Sequence, residues 1–295
     1  MNKVSSSDFF VFPNNWKDEY ILLDSGDGER LEKFGRYVFR RPDPQCLWKR
    51  SLSDEQWNRC DAEFVKQGDG DKGKWRFHTR VPERWVMQWQ DVSFYAEPTP
   101  FKHVGVFPEQ AVHWEWMKKK ISGSKRKLKI LNLFGYTGIA SVVCAKAGAS
   151  VTHVDASKPS IGWAKENMLL SGLPPDSIRW ILEDVVSFVK REVRRGSTYD
   201  GIIMDPPAFG HGAKGEVWKF HEQMPELFEA CGAVLSPDPM FMIVNAYAVS
   251  VSALMLQNSL EDFVSHKGTV TCGELALEQQ NGRMLSTGIY ARWER

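Results

Sequence analysis

The chain is expected to fold as a doubly wound α/β domain, with a seven-stranded, mostly parallel sheet, behind a small N-terminal β-rich domain. Three observations predict this. From Lys129 onward, short apolar runs alternate with amphipathic stretches of helical length, which is the mark of repeated β-α units packing helices on both faces of a parallel sheet. The last two runs, VTCGELALEQQ and STGIYARWER, follow each other with no helix between them, and an antiparallel pair is common at the edge of such a sheet. Residues 1–100 are instead rich in aromatics and turn signals and poor in helical periodicity.

The 295 residues suit two domains, one of ordinary size and one small. At 42% hydrophobic and 25% charged, the composition is that of a globular chain with a sizeable core. The net charge of +1 favours no particular partner, so nucleic-acid binding would need a local basic patch. Five widely spaced cysteines, Cys46, Cys60, Cys144, Cys231 and Cys272, include no C-x-x-C pair. A disulfide framework and a zinc site are not expected, and no metal is predicted. The start MNKVSSSDFF lacks the apolar run of a signal peptide, and no stretch has the length of a membrane span. The chain reads as cytoplasmic.

In the first 100 residues, YILLDSGDGERLEKFGRYVFRRP reads as short strands around the Asp24–Gly28 turn, and Trp75–Phe77 and Trp85–Trp89 as further strands. A proline-rich bridge begins at Ala96, and residues 101–295 form the second domain, opening with a helix from Ala111 to Lys120. Strands KILNLF, SVTHVD, IRWILED, YDGIIMD and MFMIVNA follow, separated by helices over 139–147, 158–170, 185–194 and about 218–234. A last helix, near 252–265, precedes the closing pair.

The chemistry sits after the strands. LNLFGYTGIASVV runs from strand one into a turn containing Gly135 and Gly138, then a helix. Glycine there lets a ligand approach the backbone at the carboxyl end of the strand. The spacing is not G-x-G-x-x-G, so a pyrophosphate cradle is absent. S-adenosylmethionine carries no phosphate and needs only such a turn and a nearby carboxylate for its ribose. Asp155, roughly twenty residues on at the tip of SVTHVD, is that carboxylate. Ser157 can cap the following helix, which leaves Asp155 for a ligand. Asp184, after strand three, can receive an adenine amine with Val185 beside the ring, or can equally cap the next helix. Asp205-Pro206-Pro207 follows strand four; two prolines fix the backbone and hold the acid at the sheet edge. Phe209 beyond it could stack on a base. PFKHVGVFPEQ offers Lys102, His103, Phe107, Pro108 and Gln110 as a lid over the methionine end, although a buried structural role is commoner for a histidine such as His103.

FPEQ, LNLFGYTG, THVDAS, EDV and MDPPAFG, in this order and spacing, resemble the Rossmann-like S-adenosylmethionine-dependent methyltransferases that modify large-subunit ribosomal RNA on cytosine C5 or guanine N7. The resemblance covers about residues 8–295, and LDSGDGERLEKFG and RPDPQCLWKR resemble the small β domain of bacterial relatives. It implies that Asn132, Phe134, Gly135, Tyr136, Thr137 and Gly138 line the cofactor turn. Asp155, Ala156 and Ser157 would serve the ribose, Asp184 and Val185 the adenine. Asp205, Pro206 and Pro207 would border the point of methyl transfer, with Phe107, Pro108 and Gln110 over the methionine end.

Cytosine-C5 transfer needs a cysteine nucleophile. The stretch after strand five reads Asn245-Ala246-Tyr247-Ala248-Val249, and Cys231 and Cys272 lie elsewhere. The expected reaction is therefore direct transfer to a nitrogen or oxygen, with RNA as acceptor. Many relatives carry an N-terminal RNA-binding module, which the resemblance does not include here. Candidate RNA contacts are the basic stretches 118–129 (Lys118, Lys119, Lys120, Lys125, Arg126, Lys127, Lys129) and 190–195 (Lys190, Arg191, Arg194, Arg195), each also readable as a solvated helix end. Trp48, Trp57, Trp75, Trp85 and Trp89 suit packing better than base stacking. A small-molecule methyltransferase, a nicotinamide-dependent enzyme and a non-catalytic cofactor binder are the alternatives.

Overall fold

A computed structural model describes residues 9–67, 73–212 and 215–295; the reading of the extreme N-terminus therefore rests largely on residues outside the described ones. The chain divides into two compact units. One takes in residues 9–11, His113–Leu275 and Gly288–Arg295; the other takes in Phe12–Val112 and Ala276–Thr287.

The first unit carries the α/β alternation. Its elements are β1 (Lys129–Leu133), α1 (Ile139–Lys146), β2 (Ser150–Asp155), α2 (Lys158–Leu170), β3 (Ile178–Leu182) and α3 (Val185–Arg195). There follow β4 (Gly201–Met204), α4 (Phe220–Ala233), β5 (Phe241–Ala246), α5 (Ala253–Phe263), β6 (Thr269–Glu278) and β7 (Met284–Glu294), of which residues 276–278 and 284–287 fall in the second unit. The sheet order is β3-β2-β1-β4-β5-β7-β6, with Phe10–Val11 as a short eighth strand beside β6. β1 to β5 pair in parallel, and β7 runs antiparallel to β5. The expected seven strands are present. The eighth pairs through Glu274 N, which donates to Phe9 O at 2.8 Å, and Gly273 leaves it room, since a Cβ there would stand 2.6 Å from that oxygen.

Strands β4 and β5 are buried at every position, as a parallel sheet covered on both faces requires. Leu131, Leu133, Val154, Ile202, Met204, Met242 and Val244 point to one face and pack on Phe188, Leu227, Phe228 and Leu256 of the helices. Helix ends follow local chemistry. Ser157 caps α2 by accepting from Ser160 N, Asp184 caps α3 by accepting from Ser187 N, and Ser252 caps α5 by accepting from Met255 N.

The second unit is largely β. Strands Tyr20–Gly26, Glu29–Phe34, Tyr37–Pro42, Ala62–Lys66 and Gly73–Phe77 form one sheet, and Trp85–Trp89 pairs with Val92–Ala96. The Asp27-Gly28 turn has positive φ at both residues (51° and 79°), the mirror-image turn that suits the twist of a hairpin. A buried polar cluster threads this unit: Glu32 accepts from Arg41 and from Tyr20 Oη at 2.9 Å, beside Arg30. Trp57 and Trp89 are fully buried, so these indoles serve as core. Among the described residues, no helix is long and apolar enough to cross a membrane.

Candidate cofactor and methyl-transfer site

The carboxyl ends of the first unit's strands bring the sequence-predicted acids together. Val154, Leu133, Met204 and Val244 form one register row across β2, β1, β4 and β5. One residue beyond that row stand Asp155, Phe134, Asp205 and Asn245. Asp155 and Asp205 are two strands apart, about 10 Å at the usual spacing.

The turn after β1 is strained. Phe134 (φ 55°) and Tyr136 (φ 49°) both adopt the left-handed conformation, which costs a residue with a Cβ about 1–2 kcal/mol. Several contacts hold it, among them Gly135 N donating to Val154 O at 3.1 Å. Tyr136 N donates to Asp155 Oδ2 at 2.8 Å, and the Phe134 ring lies 4.8 Å from the Trp218 ring. Asp155 Oδ1 accepts from Ser157 N at 2.8 Å, so two backbone N–H groups aim the carboxylate. Burial raises its pKa, and these two bonds oppose the rise.

The two glycines do different work. Gly138 (φ 76°) needs the left-handed region, and a Cβ there would also stand 2.6 Å from Ala164 Cβ. Gly135 is glycine for space: a Cβ would stand 2.3 Å from His153 Cε1 and 2.4 Å from Nδ1. His153 is fully buried beneath the turn, and burial depresses its pKa to about 3. Its Nδ1 is 3.0 Å from Ser141 Oγ, which accepts from Asn132 Nδ2 at 2.9 Å. Asn132 thus braces the turn from below, and Thr137 is fixed through its carbonyl by Asn167 Nδ2 at 2.8 Å.

Asp184 Oδ1 accepts from Ser187 N at 2.8 Å, so the capping role is present, two residues past the end of β3. Val185 is buried in the core. Phe107, Pro108 and Gln110 belong to the second unit, where Pro108–Gln110 is a single 3-10 turn. His103 is also there, with a pKa lowered to about 3 by burial and then by Arg41.

At the lip, Pro206 is buried and Pro207 exposed. The sequence had suggested a helix from Trp218, but a small hairpin intervenes, Phe209–His211 paired with Val217–Lys219, and the helix starts at Phe220. Trp218 is buried, and its Nε1 donates to Pro207 O at 2.6 Å. One indole therefore touches both the lip and Phe134 of the turn. No sequence signal marked it: a lone tryptophan at a helix start reads as ordinary core.

Neither Cys231 nor Cys272 stands on the row of strand-end residues. Cys231 is buried on α4 with its pKa raised by burial, and Cys272 donates to Gln257 Oε1 at 3.1 Å. The basic stretch 118–129 leads into the amino end of β1. There Arg126 pairs with Asp200 at 2.7 Å, Lys119 with Glu115 at 2.7 Å, and Lys120 with Glu294. In the second stretch Lys190 pairs with Glu226 and Arg191 with Glu183.

Residues 69–257 match the family model described as S-adenosylmethionine-dependent methyltransferase. This chain belongs to that family. Its cofactor is accordingly S-adenosylmethionine, and the residues present fit it: a carboxylate at the end of β2 aimed by two backbone N–H groups, as a diol requires, beside the backbone turn after β1. The turn's glycines make room for His153 and Ala164 and not, as expected from the sequence, for a ligand. The crystal structure of a SAM-dependent methyltransferase from Agrobacterium tumefaciens is 44% identical, with TM-score 0.92, covering 97% of this chain and 93% of that one. The structure of SMU.776 complexed with SAH is similar in fold, with TM-score 0.71 at 19% identity over 94% of this chain and 76% of that one. The Ribosomal RNA large subunit methyltransferase K/L of Shewanella frigidimarina is 35% identical over 250 residues, 77% of this chain. This methyltransferase spans only 34% of that relative's length.

Proposed function

We propose that this methyltransferase acts on RNA, at a nitrogen or oxygen of a large-subunit ribosomal RNA base, by direct transfer. The observation that carries the site is the row Asp155–Phe134–Asp205 across the strand ends, closed by the Asp-Pro-Pro lip. The RNA assignment is supported by the ribosomal RNA methyltransferases that match most of the chain. Bound S-adenosylmethionine supplies a methyl carbon made electrophilic by its sulfonium. Asp155 holds the ribose hydroxyls, and Asp184 offers its second carboxylate oxygen to the adenine amine. The turn over Phe134–Gly138 meets the amino-acid end with its backbone. Asp205 orients the acceptor and takes its proton, while Pro206 and Pro207 keep that carboxylate from swinging away. The chain's contribution is mainly positioning. Direct transfer needs no thiol, which suits the buried state of Cys231.

The test is transfer of labelled methyl to undermodified large-subunit ribosomal RNA, followed by nucleoside analysis. Asp205→Ala should abolish transfer while cofactor affinity stays within a few-fold of wild type. Full turnover in that variant would remove Asp205 from the mechanism. Transfer to small molecules but to no RNA would replace the acceptor.

A further inference from the structure

Among the described residues of the first unit, three that are not glycine adopt the left-handed conformation: Phe134, Tyr136 and Ala248. All three lie where the carboxyl edge of the sheet turns into loop. Phe134 and Tyr136 shape the turn after β1. Ala248, with φ 52°, lies two residues past the end of β5. Such a conformation costs a residue with a Cβ about 1–2 kcal/mol, and backbone outliers of this kind gather at functional sites. The residue before this reversal is Tyr247. Ala246 pairs with Ile289 of β7, so Tyr247 comes opposite Gly288, and its ring lies on that glycine. A Cβ on Gly288 would stand 2.8 Å from both Tyr247 Cδ1 and Cε1. On the far side of the reversal, Val249 and Val251 pack against the core. Packing alone does not account for the arrangement. A glycine after Tyr247 would remove the strain, and a β-branched residue opposite Tyr247 would strengthen β7. The chain has neither, and the ring stays fixed in one place.

We infer that Tyr247 is the far wall of the acceptor site: seated on Gly288, its ring stops an acceptor held at Asp205 from sliding away from the methyl group. This rests on the RNA reading and the methyl-transfer point proposed above, and adds the residue that bounds that point on its open side. The sheet order gives the direction. β4, which leads to Asp205, lies between β1, whose turn meets the cofactor, and β5. An acceptor at Asp205 therefore has the cofactor on its β1 side and the end of β5 on the other. Asn245 and Ala246 are buried there, whereas Tyr247 is half-buried and is the first side chain of that strand end to reach the surface. In-line transfer tolerates little displacement: a misplacement of about 1 Å can cost roughly 100-fold in rate. A ring pinned between a glycine and a strained turn is a boundary stiff enough to matter on that scale, and it limits the size of acceptor that fits.

The test measures methyl transfer to undermodified large-subunit ribosomal RNA, with S-adenosylmethionine affinity by calorimetry and melting temperature alongside. Tyr247→Ala should lower kcat/KM for RNA at least about 10-fold while cofactor affinity stays the same. Tyr247→Phe, which keeps the ring, should restore kcat/KM. Gly288→Ala should give part of the same loss, because the added methyl lifts the ring, and should add nothing to Tyr247→Ala in the double variant. Full kcat/KM in Tyr247→Ala, or a loss matched by an equal fall in cofactor affinity, would overturn the wall and leave the RNA reading standing. Should Tyr247→Ala not fold, Gly288→Ala alone decides, and unchanged kcat/KM in it overturns the wall. No transfer to RNA by the wild-type protein would overturn both.

Discussion

The substitution Gly135→Ala tests the support beneath the cofactor turn. The added methyl would lie 2.3 Å from His153 Cε1, well inside contact distance. The imidazole has little room to retreat. It is fully buried, lies 4.8 Å from the Trp180 ring on one side and is bonded to Ser141 on the other. Moving it by about an ångström overpacks the site, at roughly 1–3 kcal/mol, and breaks a buried hydrogen bond worth about 1 kcal/mol. The sum, about 2–4 kcal/mol, is a large part of a typical domain's stability and lowers the melting temperature by roughly 4–15 °C. Thermal denaturation with and without S-adenosylmethionine measures it, and cofactor affinity should fall in parallel because the turn is displaced. The cycle with His153→Ala isolates the cause: with the ring gone the clash is gone, so the double variant should be at least about 1 kcal/mol more stable than additivity allows. A Gly135→Ala protein within about 0.5 kcal/mol of wild type, or strict additivity, would refute the argument.

Asp155→Ala should weaken S-adenosylmethionine binding by roughly 10- to 100-fold in calorimetry, the value of a charge-assisted contact to the ribose; unchanged affinity removes it from the site. Trp218→Phe keeps a ring against Phe134 but deletes the donor to Pro207 O, so kcat should fall while cofactor affinity changes little, and equal loss of both would mean a merely structural role. His103, His113 and His153 are each held by burial near pKa 3, below the usual 6.5. The unfolded chain therefore binds protons that the native one refuses, and stability should fall as pH drops below about 6.5. Melting temperatures that stay flat from about pH 7.5 to 5, or a His153 ring proton that titrates in that window, would contradict this. Finally, Cys272→Ser should leave turnover unchanged, and RNA containing 5-fluorocytosine should form no covalent adduct in mass spectrometry.

The alternation of apolar runs was enough to place the five parallel strands and their helices, because buried parallel strands and amphipathic helices differ so plainly in period. The cap of α2 was legible too: Ser157 offered a better one than Asp155, and it does cap the helix. The hairpin after the lip was not legible. Strands of three residues, Phe209–His211 and Val217–Lys219, are too short to show alternation, and Trp218 continued the apolar pattern of the helix behind it. The reason for Gly135 was equally hidden, since the side chain that forbids a Cβ there is His153, on the neighbouring strand. The sequence records that a glycine is present; only the register of β1 with β2 shows what it makes room for.

The turn's two left-handed non-glycine residues give Asp155 and Trp218 a structural role of their own. Phe134 and Tyr136 together store about 2–4 kcal/mol of backbone strain, and a free loop would relax. Asp155 holds Tyr136 through its amide, and Trp218 holds Phe134 through its ring. The same indole fixes Pro207, so the turn after β1 and the Asp-Pro-Pro lip share one buried anchor. A change at Trp218 therefore reaches the lip through a hydrogen bond and the turn through packing. Trp218→Phe separates these two effects, because it removes the first and keeps most of the second.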